Sequence, residues 1–154
     1  MTMFVKLLRD CREFIAGDGS ILRELLHPDK AALDIRYSLA HAEVGPGQKT
    51  KPHRLESCEV YYVLAGEGMM HIDRETFAIG PGCAVYIPPR TIQHIENTGD
   101  SDLKFLCIVD PGWRRDDEEI LDRYNTPQKL DQGLRWIRCL NGKSIQETND
   151  GEQA

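Results

Sequence analysis

The chain has 154 residues, 40% of them hydrophobic and 29% charged, with a formal net charge of −6. That is the size of one domain and the composition of a globular protein, and the acidic balance excludes a general binder of phosphate backbones, which needs a basic face. Five scattered cysteines (Cys11, Cys58, Cys83, Cys107, Cys139) without C-x-x-C spacing argue against both a disulfide framework and a thiolate zinc site.

The opening "MTMFVKLLRDCREF" is charged too early and too often for a signal peptide. No uncharged apolar run approaches the ~18 residues of a membrane span. A cytoplasmic protein without membrane or nucleic-acid partners is the expectation. Phe4, Leu7, Leu8, Cys11, Phe14 and Ile15 recur at helical spacing, which predicts an amphipathic helix over 4–15, with a strand start as the alternative. "GDGS" (17–20) is a turn, and "ILRELLHP" (21–28) fits a strand or a helical turn equally. These pieces make an N-terminal extension, residues 1–33, of a short helix and a strand.

The texture changes at Asp34. "DIRYSLAHAEV" alternates, and short runs rich in β-branched and aromatic residues follow, cut at close intervals by Gly, Pro and Asn: "YYVLAGEG" (61–68), "CAVYIPP" (83–89), "LKFLCIVD" (103–110). This pattern predicts an all-β sandwich or barrel over 34–112. Beyond Pro111, "RRDDEEILDRY" (114–124) has acids first and Arg123 late, as a helix dipole favours. "LRWIRCL" (134–140) is apolar enough to fold back or meet a partner. A helical C-terminal extension is predicted over 113–140. The polar tail 141–154 has the composition of a disordered segment.

One stretch carries chemistry: "GQKTKPHRLESCEVYYVLAGEG", Gly47 to Gly68. It resembles the first cupin motif, G-x5-H-x-H-x3-E-x6-G, with Gly47, His53, Glu59 and Gly66 in place and Leu55 where the second histidine stands. The second motif, G-x5-P-x-G-x2-H-x3-N, is met by Gly82, Pro88 and Asn97, with Arg90 for the glycine and Gln93 for the histidine. The resemblance covers roughly residues 36–112. It is to small single-domain cupins, including those similar to the cupin domain of mannose-6-phosphate isomerases. It implies an antiparallel, jelly-roll-like β-barrel with short helical ends, holding a small ligand in its mouth. It also implies a divalent transition metal (manganese, iron, nickel or zinc) on inward imidazoles and carboxylates. His53 and Glu59 are the expected ligands, and Tyr61, on the same strand face as Glu59, is the candidate acid–base group.

The third ligand is Gln93 in the motif register or His94 if the strand slips by one. Gln93 shares a face with Ile95 and His94 with Glu96, so parity favours Gln93 inside, while a β-bulge would aim both at the mouth. With Gln93 the site is rich in oxygen; with His94 it is the two-histidine, one-carboxylate set of non-haem iron enzymes, and a dioxygenase becomes credible. A metal-dependent isomerase, lyase or binder of a sugar, sugar phosphate or small carboxylic acid is one function class. A metal-free binding or sensor module, in which His53 and Glu59 form an ion pair, is the other, and Leu55 and Gln93 favour it. Of the other histidines, His41 and His71 are expected to face outward and His27 has no assigned role. Cys58 is a weak candidate for a reactive thiol, and Asp116–Glu119 reads as a solvated helix start. A homodimer is the expected assembly, since two-fold symmetry is the commonest.

Overall fold

The computed structural model describes residues 3–124 and two short strands, β12 (Cys139–Leu140) and β13 (Lys143–Ser144), which pair with each other. Eleven strands precede them: β1 (Glu13–Ile15), β2 (Ile21–Leu26), β3 (Ser38–Val44), β4 (His53–Leu55), β5 (Cys58–Ala65), β6 (Gly68–Ile72), β7 (Glu75–Ile79), β8 (Ala84–Ile87), β9 (Gln93–Asn97), β10 (Leu103–Asp110) and β11 (Glu118–Ile120). They form a six-stranded sheet in the order β1-β2-β3-β10-β5-β8 and a five-stranded sheet in the order β11-β4-β9-β6-β7. All recorded pairings are antiparallel. The all-β expectation holds.

The alternation of "LKFLCIVD" shows why the sheets face each other. Leu103, Phe105, Cys107 and Val109 are buried, and the residues between them are half-buried on the other side. Val63, Met70, Ile87, Ile95, Leu103 and Phe105 supply the centre of the core between the sheets. The last glycine of the first motif closes the β5–β6 turn. Gly66 has φ +84°, and a Cβ there would lie 2.5 Å from the Asp102 carbonyl oxygen, so neither the conformation nor the space admits a side chain. Asn97, at the end of the second motif, is buried. Its Nδ2 donates to the carbonyls of Val44 and Ser101, each at 2.8 Å, and its Oδ1 accepts from the Gly99 N–H at 2.9 Å. It pins three segments at the closed end of the sandwich.

The helical ends are corrected. Residues 4–15 form a single 3-10 turn at Leu8–Asp10 followed by β1. Met3, Phe4, Val5 and Leu7 are exposed, so the apolar spacing finds no surface to bury against. The chain turns instead at 17–20, and β1 pairs back on β2, joining both to β3. The 114–124 helix is replaced by a 3-10 turn at Arg115–Asp117 and by β11, which pairs with the otherwise free edge of β4. An open strand edge offers backbone hydrogen bonds that outweigh a weak helix dipole preference. Of the predicted 134–140 segment, 134–138 lie outside the described residues and 139–140 are strand, as are 143–144 of the expected tail. No helix among the described residues is long and apolar enough to cross a membrane.

Candidate functional site

The inward faces of β3, β4, β5 and β10, with the 13–20 and 113–120 segments as rims, enclose a cavity of about 570 Å³. His53 and Leu55 reach it from β4, and Glu59 and Tyr61 from β5. All four are buried. The period of two along β5 puts Glu59, Tyr61 and Val63 inward and Tyr62 and Leu64 outward, as the alternation predicts.

His53 has a defined tautomer. Its Nδ1 lies 2.9 Å from the Lys51 carbonyl oxygen, which can only accept, so Nδ1 carries the proton and Nε2 is left as an acceptor. The Asp18 Oδ2 stands 3.9 Å from the same Nδ1. Asp18 is itself held by the Ser20 N–H at 2.9 Å and the Ser20 hydroxyl at 2.7 Å. Glu59 accepts a hydrogen bond from Gln93 Nε2 at 2.6 Å. Burial pushes the Glu59 carboxyl up to about 7, while His53 and the Gln93 bond pull it down and Asp18 and Glu118 push it further up. Glu118, on β11, is raised in the same direction, chiefly by burial, with His53 opposing. The Tyr61 hydroxyl is raised well above its ordinary value by burial and by Glu59, so it keeps its proton throughout the physiological range. The Tyr61 ring lies 4.7 Å, centroid to centroid, from Phe105.

Gln93 and His94 go to opposite sides of β9. Gln93 is opposite His53 in the strand register and buried against Glu59. His94 stacks on His71 of β6, with centroids 4.2 Å apart and rings within 6° of parallel. It does not line the cavity, so the two-histidine, one-carboxylate set proposed for an iron dioxygenase is not assembled. Desolvation, then His71 and Lys49, lower the His94 pKa to about 4. His71 lies on the outer side, as expected, with Thr76 Oγ1 3.1 Å from its Nδ1. His41 also sits on the outer side of β3 but is buried there, 3.7 Å from Glu43, which the outward assignment did not anticipate. Cys58 donates to the Asp110 carbonyl at 3.4 Å.

The donor set does not fit the four-ligand metal centre that the motif implies. Leu55 puts an isobutyl group where an imidazole is needed. Gln93 shows Glu59 an N–H, which cannot ligate. Among the described residues no group of three or more His, Cys, Asp or Glu comes together as a metal shell. The Gln93 Oε1 is buried and takes no hydrogen bond from the protein. It is placed to accept one from Glu59 if the carboxyl gains a proton and the amide turns.

Several cavity residues escaped the motif reading. Asp18 comes from the turn "GDGS", where Asp-x-Ser is a side-chain-to-backbone turn signature and nothing more. Trp113, Arg115 and Glu118 come from the segment expected to be helical, and Phe105 and Cys107 from β10. His27, without a role in the sequence, donates from Nε2 to the Trp113 carbonyl at 2.7 Å and accepts the Asp29 N–H at Nδ1 at 3.1 Å. It thereby ties the loop after β2 to the cavity rim.

A two-sheet antiparallel sandwich with a pocket between its sheets is the architecture of a cupin. Residues 40–109 match the family described as Cupin domain. An uncharacterised protein of Methanocaldococcus jannaschii is 45% identical over 112 residues, which span 72% of this chain and 89% of that one. The oxalate-binding protein of Thermotoga maritima is 34% identical over 88 residues, 56% of this chain and 68% of that one. Among solved structures, the polyketide cyclase RemF from Streptomyces resistomycificus superimposes with a TM-score of 0.66 at 25% identity, covering 82% of this chain and 90% of its own. The chain belongs to the cupin family.

Proposed function

We propose that this cupin binds a small polar organic molecule in the cavity and moves a proton on it, with Glu59 as the acid and His53 as the base, and without a metal. The observation that carries this reading is the pairing of Glu59, held near neutrality at about 7, with a His53 whose Nε2 is the free acceptor. Two titratable groups in one cavity with different environments are the usual basis of an acid–base assignment. Asp18 beside Nδ1 stabilises the imidazolium that forms when Nε2 takes a proton, and Tyr61 serves as a hydroxyl donor. Isomerisation similar to that of mannose-6-phosphate isomerases, elimination and ring closure each move a proton that such a pair can carry. The second reading keeps the metal: the motif spacing of His53 and Glu59 favours it, with Gln93 as a third donor after its amide turns.

Metal analysis of the protein as purified, with Glu59→Ala in parallel, separates the two. Substoichiometric transition metal in both proteins is expected. Near one equivalent of manganese, iron, nickel or zinc, lost in the variant, would overturn the metal-free reading. The proposed location is the cytoplasm, in keeping with the free thiols of Cys11, Cys58, Cys83 and Cys107. The proposed assembly is a homodimer through the outer face of the six-stranded sheet.

A further inference from the structure

We infer that the ligand of this cavity carries its positive charge on an organic group, as a small ammonium or a similar onium ion. The inference rests on the reading of the cavity as a small-molecule site and names what that site takes. Three carboxylates face the space from three separate elements: Asp18 from the turn after β1, Glu59 from β5 and Glu118 from β11. A fourth, Glu24, is already neutralised by Lys30 at 2.7 Å. On the other side of the balance, among the described residues, stand His53 and the exposed Arg115.

Among the described residues the lining thus sets three carboxylates against one imidazole, beside Asp18, and one exposed guanidinium, so a cationic group meets more partners there than an anionic one. The remaining walls are apolar, and four of their residues are aromatic. Tyr61 and Phe105 form a tilted pair, Trp113 closes the rim, and Phe14 flanks it. Aromatic faces attract cations through the ring quadrupole, and desolvated sites strengthen the effect. The carboxylates are spread around the cavity and not gathered into one shell, so they do not fit a point-like metal ion. A diffuse organic cation of several ångströms does fit, because it needs neither short coordination bonds nor a fixed geometry. Anions such as oxalate or a sugar phosphate would meet repulsion from the same three carboxylates.

Calorimetric titration tests this with three probes on the full chain: choline, dimethylbutanol as its uncharged carbon isostere, and oxalate. Choline is expected to bind at least about tenfold more tightly than dimethylbutanol, a difference of about 1.4 kcal/mol. Glu118→Gln and Trp113→Leu should each remove most of that preference, and circular dichroism would confirm that both variants keep the fold. Equal binding of choline and its isostere, or tighter binding of oxalate, overturns the charge assignment and leaves the cavity standing as a small-molecule site. Failure of all three probes to bind overturns the charge assignment and the small-molecule reading together.

Discussion

Glu59 is the residue on which the chemistry and the stability meet. Its carboxyl is raised from an ordinary 4.5 to about 7, so the folded protein holds a proton more tightly there than the unfolded chain does. The sign follows from linkage: the stabilisation is complete below about 4.5 and is lost as the pH rises to about 7. The loss amounts to something on the order of 3 kcal/mol. Other groups, His94 and Glu118 among them, titrate in the same window in both proteins, so the contribution is read as a difference: the stability of the wild type relative to Glu59→Gln should fall as the pH rises from about 4.5 to about 7. A difference that stays constant with pH would show that Glu59 does not carry the shift. The inward placement of His53, Glu59 and Gln93 was legible in the sequence because motif spacing and strand parity act over short distances. Asp18 was not, because the contact that gives it meaning joins a turn to a strand 35 positions later, at His53, and no local pattern encodes it.

At the level of elements, the barrel strands were readable and the ends were not. "LKFLCIVD" alternates because one face is core, and that signal survives any context. Residues 114–124 carry a helix-like charge order, yet they complete the edge of β4 because tertiary hydrogen bonds outweigh a weak local preference. Residues 4–15 fail in the same way, for want of a surface to bury their apolar side chains. The turn between β5 and β6 is the most demanding element. Gly66→Ala should cost about 2–4 kcal/mol, since a positive φ and a backbone clash add together. Urea denaturation would check this, and a loss below about 1 kcal/mol would mean that the turn relaxes without strain.

Over the whole molecule, the outer face of the six-stranded sheet is apolar along β10, β5 and β8 and polar along β2 and β3, where Arg23, His41 and Glu43 meet. Along β5 the outward residues are Val60, Tyr62 and Leu64, beside Leu106 and Ile108 of β10 and Tyr86 of β8. Tyr62, Leu64 and Tyr86 are exposed. The outward positions of β10 run Lys104, Leu106, Ile108, Asp110, so a copy turned by two-fold symmetry would set its Asp110 over Lys104. The double variant Tyr62→Glu with Ile108→Glu should sediment as a monomer while the wild type sediments as a dimer, and a monomeric wild type would refute this interface.

The pocket is built from two sources with different freedom to vary. His53, Glu59 and Tyr61 belong to strands that also carry buried apolar side chains, Leu55 on β4 and Val63 on β5. Asp18, Trp113 and Glu118 belong to short flanks lying outside the family-matched 40–109. Re-aiming such a receptor at a new guest would thus be a matter of exchanging two rims on an unchanged cup.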